Sequence, residues 1–261
     1  MDVSIIIPCF NHASTLERAV ASALRQSRVA EVLIIDDASS DQSAVVAQTL
    51  ATQDQRVRAC TLEVNSGPGA ARNRGVSKTT HSFICFLDAD DELLGDFIGS
   101  TLQLFEQNPE LVAAKCEMEF FDPVKGNILP MHDPRHQSAI LSSSCGMVMR
   151  RAHFLQMGGF PEDPVFRGPA GGEDVAFMQA VMAHFQPIAR IEQPGYRVWS
   201  QSGSHLDHFL SRTRLKGESF EFVFRQTDEV QDEQISTGLG AYLDKVASTM
   251  HIWELMKNSR E

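Results

Sequence analysis

The chain has 261 residues, a formal net charge of −11 and 43% hydrophobic residues, enough for one large α/β domain or a domain with a helical appendage. The acidic balance argues against a protein that tracks nucleic-acid phosphates, so we expect no nucleic-acid partner. It also argues against an anionic membrane surface as the main partner.

Cysteine use and the first residues indicate the compartment. The five cysteines are widely spaced and form no C-x-x-C pair, a pattern typical of reduced thiols in a cytosolic protein. The chain enters an apolar stretch directly after Met1-Asp2, without the basic and apolar regions of a signal peptide. No apolar run approaches the ~20 residues of a membrane-spanning helix. We therefore expect a cytoplasmic protein.

Strands and helices are predicted to alternate between residues 3 and 87. Short apolar runs bounded by polar residues are typical of buried parallel strands, and stretches with helical spacing separate them. The predicted strands are Val3–Ile7, Glu31–Ile35, Arg56–Leu62 and Phe83–Leu87. This repeated alternation predicts a parallel, doubly wound sheet with helices on its faces.

After Asp96 the alternation becomes less regular. The predicted extended segments are Leu111–Phe121, Cys145–Met149 and Ile188–Trp199. Pro161–Gly172 holds three prolines and three glycines and is predicted to be a mobile loop that precedes a helix. The remainder, 201–261, is predicted to be helical, with a polar interruption over Gln226–Gln234.

A cluster of acidic residues follows the predicted strand Phe83–Leu87. Like charges in close proximity repel, and a divalent cation relieves that repulsion. Oxygen ligands suit Mg²⁺ or Mn²⁺, and the carboxyl ends of parallel strands are where ligands bind in such sheets. Asp88 and Asp90 therefore predict a site for a metal and a diphosphate. The alternative is that Asp90 or Asp91 caps the following helix.

Five short motifs occur in one order along the chain, and each is weak on its own. They are Ile7-Pro8-Cys9-Phe10-Asn11, Asp36-Asp37-Ala38-Ser39-Ser40-Asp41, Asn65-Ser66-Gly67-Pro68-Gly69-Ala70-Ala71-Arg72-Asn73-Arg74-Gly75, Leu87-Asp88-Ala89-Asp90-Asp91 and Gly172-Glu173-Asp174. In this order and at this spacing, the sequence resembles the family 2 glycosyltransferases of GT-A fold, over residues 3–200.

The resemblance implies an α/β fold of GT-A type, with a Rossmann-like, mostly parallel central sheet, flanking helices and a C-terminal helical appendage. Residues 1–200 would form the catalytic domain, with a nucleotide-binding half at 1–95 and an acceptor half at 96–200. Residues 201–261 would form the C-terminal helical region. The resemblance further implies a nucleotide-sugar donor, usually UDP-linked, a glycan or glycolipid acceptor, Mn²⁺ or Mg²⁺, and transfer with inversion.

The resemblance also implies residues that bind the nucleotide. Carried over by position, Pro8 and Phe10 would lie beside the nucleoside, and Asp36 would accept a hydrogen bond from the base. Arg72 would reach the nucleotide. Its guanidinium offers a fork of donors for a phosphate or a base carbonyl. The alternatives are that Asp36 caps the following helix and that Arg72 is a solvated arginine on a helix surface.

The metal would be held by acidic residues and one histidine. Carried over by position, Asp88 and Asp90 would serve the ribose and the metal-diphosphate unit. His205 follows a Ser-Gly-Ser segment, near where some relatives place a histidine ligand, and would add a third protein ligand. The commoner role for such a residue is a solvated helix histidine.

The same resemblance makes Asp174 the catalytic base. The attacking hydroxyl of the acceptor needs a base on the face opposite the leaving group, and one carboxylate suffices. Glu173 would stabilise an acceptor hydroxyl or pair with a basic neighbour. The alternative for both residues is a favourable interaction with the dipole of the helix that they begin.

Two competing functions remain at this stage. A nucleotidyltransferase would need a basic, glycine-rich loop after the first strand, and Pro8–Ser14 has neither feature. A noncatalytic nucleotide-sugar-binding or scaffold module is the second alternative, against which the set of acids argues.

The C-terminal region also carries an apolar helical stripe, which we expect to pack on the catalytic domain. The alternatives are homodimerisation or docking to a membrane enzyme, which would make the protein peripheral at the inner face of the membrane. The stripe consists of Leu239, Leu243, Val246, Met250, Trp253 and Met256.

Overall fold

A computed structural model describes residues 1–167, 172–185, 188–200, 203–223 and 229–258, with the side chains of 229–232 and 253–258 excepted. The strands in these ranges are β1 (Val3–Cys9), β2 (Val29–Asp36), β3 (Val57–Thr61), β4 (Phe83–Phe86), β5 (Glu92–Leu93), β6 (Ala113–Asp122), β7 (Gly126–Asn127), β8 (Met147–Arg150), β9 (Ala189–Trp199), β10 (Thr213–Lys216) and β11 (Ser219–Phe222).

Helices cover the faces of the sheet and follow it at the carboxyl terminus. They are α1 (Leu16–Leu24), α2 (Ser43–Gln53), α3 (Pro68–Lys78), α4 (Phe97–Gln107), α5 (His136–Ser142), α6 (Arg151–Met157), α7 (Glu173–His184), α8 (His205–Ser211) and α9 (Glu229–Asn258). A turn of 3₁₀ helix at Pro164–Arg167 lies in the predicted loop Pro161–Gly172, of which residues 168–171 lie outside the described ranges.

The first four long strands pair as the sequence predicts. The order β3-β2-β1-β4 is parallel throughout, with α1, α2 and α3 as the crossovers between strands. Every residue of β1 is buried, as an inner strand covered on both faces requires. The predicted parallel, doubly wound arrangement is therefore confirmed for this half of the chain.

The second half extends the same sheet with mixed pairing. β8 lies antiparallel between β4 and β6, β9 runs parallel to β6, and β5 closes the far side of β9. It follows that β1 to β4, β6 and β9 all point the same way. Their carboxyl ends therefore meet at one edge of the sheet, which we call the carboxyl edge.

The C-terminal helix α9 packs on the domain, as the apolar stripe predicts. Tyr242 donates a hydrogen bond from its hydroxyl to the carbonyl of Gly159 at 2.8 Å, and Val246 and Met250 are buried. The side chains of Trp253 and Met256 lie outside the described ones. No helix in the described ranges combines the length and apolar character that a membrane crossing demands.

The helical prediction for 201–261 needs two corrections. Strands β10 and β11 form an antiparallel hairpin, because Phe220 and Phe222 alternate with polar residues and Gly217 adopts φ 62° in the turn. The predicted interruption over Gln226–Gln234 is also wrong from Glu229 onward, where α9 is continuous; 226–228 lie outside the described ranges.

Candidate active site

A buried carboxylate ends β2 at the carboxyl edge. Asp36 is 1% exposed and pairs in register with Cys9 of β1. Its Oδ2 accepts a hydrogen bond from the N–H of Ser39 at 3.4 Å, whereas its buried Oδ1 has no hydrogen-bond partner in the described part of the chain. Gln42, rather than Asp36, is the N-cap of α2. An unpaired buried acceptor is costly, so this carboxylate is suited to an incoming N–H donor.

Asn11 ties the loops that follow β1 and β2 together. It adopts φ 61°, and its Oδ1 accepts hydrogen bonds from the N–H groups of Ser40 at 2.8 Å and Asp41 at 3.3 Å. Pro8 is buried within β1, whereas Phe10 just beyond it is 44% exposed. An exposed aromatic residue thus lies at the same edge as the buried carboxylate of β2.

Asp37 fixes the turn that begins α3. Its carboxylate accepts hydrogen bonds from the N–H groups of Ser66 at 2.8 Å and Gly67 at 2.7 Å. Burial raises the pKa of Asp37, although both N–H groups act to lower it. Gly67 has a φ of +87°, a conformation that favours glycine. This turn sets the start of the helix that carries Arg72.

Arg72 lies at the centre of three carboxylates. Its Nη2 donates to Asp88 Oδ1 at 2.8 Å, and its Nη1 lies 3.3 Å from both Glu173 Oε1 and Asp174 Oδ1. The residue is 2% exposed, so it is not a solvated arginine on a helix surface. One guanidinium therefore joins the end of β4 to the start of α7.

The charges in this cluster shift one another. Burial raises the pKa of Glu173, the neighbouring Asp174 raises it further, and Arg72 opposes both. For Arg72, burial alone would lower the pKa, but the carboxylates of Asp174 and Asp88 outweigh it and hold the pKa well above the usual value. Arg72 Nε is also buried with no hydrogen-bond partner in the described ranges.

Asp174 receives two contacts on a single oxygen. Ser144 donates its hydroxyl to Asp174 Oδ1 at 2.5 Å, and Arg72 Nη1 approaches the same oxygen. The side chain of Asp174 is 24% exposed, so solvent or an acceptor can reach it. Asp174 is therefore a held but accessible carboxylate at the start of α7.

The turn after β4 is held by residues of β9. Tyr196 donates its hydroxyl to Asp91 Oδ2 at 2.9 Å and accepts a hydrogen bond from the N–H of Asp88 at 3.1 Å. The N–H of Trp199 donates to Asp91 Oδ1 at 2.9 Å. The helix that follows is capped by Asp96, so neither Asp90 nor Asp91 is a helix cap. Asp91 is instead a structural anchor of the turn.

Asp90 is a half-buried acid next to other acids. Burial raises its pKa, and the charge of Asp88 raises it further, while His12 and Arg18 act in the opposite direction. Arg18 also donates to the backbone carbonyl of Asp90. The two carboxylates that the sequence predicts as metal ligands thus lie close enough to repel, which a cation would relieve.

His205 begins α8 and is exposed. Its charge acts to lower the pKa of Glu173, so the two residues interact electrostatically. Across the described ranges, no three side chains of His, Cys, Asp or Glu gather closely enough to hold a metal ion. The structure therefore does not assemble His205 with the two aspartates, and its role as a ligand stays a prediction.

Comparison with known sequences decides the family. Residues 4–153 match the sequence model of glycosyl transferase family 2. The chain belongs to this family. The predicted family is therefore confirmed, whereas the roles of the individual site residues stay predictions.

Curated relatives of this family 2 chain include biosynthetic proteins of bacteria. Succinoglycan biosynthesis protein ExoU of Rhizobium meliloti (strain 1021) is 34% identical over 237 residues, which cover 81% of this chain and 67% of the relative. The GalNAc(5)-diNAcBac-PP-undecaprenol beta-1,3-glucosyltransferase of Campylobacter jejuni is 32% identical over 119 residues, which cover 45% of this chain and 38% of the relative. The chain thus spans two thirds of one relative's length and much less of the other.

Solved structures confirm the GT-A fold of this family 2 chain. S. aureus TarS 1–349 superimposes with a TM-score of 0.66 at 16% identity, covering 98% of this chain and 92% of that chain. The complex of TarS 1–349 with UDP-GlcNAc gives 0.65 at 21% identity and covers 79% of this chain and 60% of that chain. At these identities the similarity shows the fold alone.

Three residues of the site were not predicted from the sequence. Ser144 contacts Asp174, Lys115 supports the segment that carries Ser144, and Tyr196 fixes the turn after β4. A lysine inside the apolar run Leu111–Phe121 was a usable signal, because lysine is rarely buried without a reason. The serine and the tyrosine give no comparable signal in the sequence.

Proposed function

We propose that this chain transfers a sugar from a UDP-sugar to a hydroxyl group of a glycan or glycolipid, with inversion and with Asp174 as general base. The observation that carries the proposal is the cluster around Arg72, which places the accessible Asp174 beside Asp88 at the carboxyl edge. The ligand and the acceptor of two relatives support the classes of donor and acceptor, since TarS 1–349 forms a complex with UDP-GlcNAc and the Campylobacter relative is named for an undecaprenol-linked glycan.

The nucleotide site rests on Asp36 and Phe10. The unpaired Oδ1 of Asp36 can accept the N3–H of uracil, and cytosine lacks that donor. The exposed aromatic side chain of Phe10 can contact the nucleoside from the loop after β1. We therefore infer that the site prefers uridine nucleotides.

Replacing Asp36 tests this preference. Asp36→Ala should weaken UDP binding by about 10-fold or more and reduce the preference for UDP over CDP, because a hydrogen bond to a charged group is lost. Calorimetric titration of UDP and CDP into both proteins measures the change. Glu63→Ala is the control, since it removes an exposed carboxylate just beyond β3 at the same edge. An unchanged UDP/CDP ratio would contradict the assignment.

The acids after β4 fit a divalent cation in part. Asp88 and Asp90 offer oxygen ligands. Burial and the neighbouring Asp88 disfavour the ionised form of Asp90 and so raise its pKa, and a cation would stabilise that form. Mg²⁺ commonly uses one or two protein carboxylates and takes its other ligands from substrate phosphates and water, so a third protein ligand is not required. When bound, the cation would supply positive charge against the diphosphate that leaves.

Metal dependence is tested by binding rather than by turnover. UDP should bind more tightly in the presence of Mn²⁺ than in the presence of EDTA. Asp90→Ala should reduce this gain in UDP affinity by at least about 10-fold, while the affinity for UDP without metal stays the same. Calorimetry with Glu63→Ala as the control measures both. A gain that is unchanged in Asp90→Ala would remove Asp90 from the metal site. No nucleotide binding under any condition would favour the noncatalytic scaffold instead.

The chemistry is a single displacement at the anomeric carbon. The acceptor oxygen forms a bond to that carbon as the bond to the phosphate oxygen breaks, through an oxocarbenium-like transition state, and UDP leaves. Asp174 takes the proton of the acceptor hydroxyl. Glu173 lies beside Asp174 at the start of α7 and pairs with Arg72, and we infer that it helps to orient that hydroxyl by hydrogen bonding. A lipid-linked acceptor would bring the protein to the inner face of the membrane as a peripheral protein.

A further inference from the structure

A buried ammonium group lies behind the proposed base. Lys115 of β6 is 4% exposed, and its Nζ donates to the backbone carbonyls of Ser143 at 2.7 Å and Cys145 at 2.6 Å. Burial lowers the pKa of Lys115. Removing an ammonium from water is costly unless other groups compensate it, so a buried lysine that donates to two backbone carbonyls indicates that the position of this segment matters.

The residue between those two carbonyls contacts Asp174. Ser144 is fully buried, and its hydroxyl donates to Asp174 Oδ1 at 2.5 Å. The chain of contacts therefore runs from β6 through the 143–145 segment to the start of α7.

We propose that Ser144 and Lys115 are positioning residues for the base. Ser144 and Arg72 both hold Oδ1 of Asp174, which fixes the plane of the carboxylate and leaves Oδ2 to take the proton of the acceptor. Lys115 holds the backbone on both sides of Ser144, so that the hydroxyl stays in place. This inference rests on the proposed role of Asp174 as general base.

The geometry explains why such support is useful. A catalytic group works only when it is held close to its productive position, within about 0.5 Å and 10–20°. An aspartate side chain rotates about two bonds, and an arginine that is shared with Asp88 and Glu173 does not by itself select one orientation. A short hydrogen bond from a buried hydroxyl adds the second constraint.

Ser144→Ala tests the proposal against a matched neighbour. The kcat for transfer should fall about 10-fold, while the KM for the donor and the affinity for UDP stay within about twofold, because only the base is displaced. Ser144→Thr keeps the hydroxyl and should recover most of the rate. The control is Ser142→Ala. The Ser142 hydroxyl donates to the Ala139 carbonyl of the same helix at 3.1 Å, so this replacement should leave kcat unchanged.

Double variants separate this inference from the proposed function. In an Asp174→Asn background, Ser144→Ala should cause no further loss beyond about twofold, because Ser144 acts through Asp174. The inference alone would be overturned by either of two results. One is a kcat of Ser144→Ala equal to that of Ser142→Ala; the other is a further loss of about 10-fold in kcat when Ser144→Ala is added to Asp174→Asn. Full activity of Asp174→Asn would overturn the base assignment, and this inference with it.

Lys115→Met tests the other end of the chain of contacts. With folding verified by thermal denaturation, it should lower kcat like Ser144→Ala, and combining both changes should add little, because Lys115 acts through Ser144. Additive losses would show that Lys115 does not act through the serine and would overturn its part of the proposal.

Discussion

Asp174→Asn should lower the rate of sugar transfer at least ~100-fold while the affinity for the UDP-sugar stays within about twofold. The amide keeps the size of the side chain but cannot accept the proton of the acceptor hydroxyl. Arg72 keeps its contacts with Asp88 and Glu173, so the donor half of the site should persist. Steady-state transfer assays and calorimetric titration of UDP measure the two quantities separately.

The control for this prediction is Asp2→Asn. Asp2 is an exposed carboxylate that precedes β1, at the end of that strand opposite the carboxyl edge, and its replacement should leave the transfer rate unchanged. Transfer by Asp174→Asn at the rate of the control would remove Asp174 as the base. A loss of UDP binding equal to the loss of rate would instead assign Asp174 to donor binding.

The first half of the fold could be predicted because each strand is a separate apolar run. Short runs such as Val3–Ile7 identify strands locally, and the handedness of crossover connections then leaves few ways to order β1 to β4. The insertion of β8 between β4 and β6 pairs segments that are distant in sequence, for which no local pattern exists. The hairpin at 213–222 did carry a period of two, but the surrounding helical residues obscured it.

The candidate site divides in a similar way. Residues such as Asp36, Asp88 and Asp174 end strands or begin a helix, so their positions in the motifs indicate one edge of a sheet. Arg72 was predicted at the site, but its three carboxylate contacts depend on how α3 meets α7, which only tertiary packing determines. The Ser144 contact to Asp174 likewise depends on packing across the sheet.

Arg72→Leu should reduce the free energy of unfolding by about 3–5 kcal/mol, because it leaves the buried carboxylate of Glu173 and the partly buried Asp88 and Asp174 without their compensating charge. Among the three acids, Glu173 should be affected most, since burial already raises its pKa. Urea unfolding at neutral pH measures the loss. Arg74→Leu is the matched control on the same helix, where an exposed arginine is replaced and the change should stay within about 0.5 kcal/mol.

A second replacement identifies the cause of that loss. Arg72→Leu combined with Glu173→Gln should lose less stability than Arg72→Leu alone, because a neutral amide does not need the guanidinium. If Arg72→Leu does not fold, Arg72→Lys can replace it. Lysine keeps the positive charge but lacks the several donors of the guanidinium, so the loss in the free energy of unfolding should be intermediate. A loss equal to that of Arg74→Leu would show that the three acids are not held by this arginine. Since one guanidinium joins Asp88 to Asp174, its removal should also impair transfer in any variant that still folds.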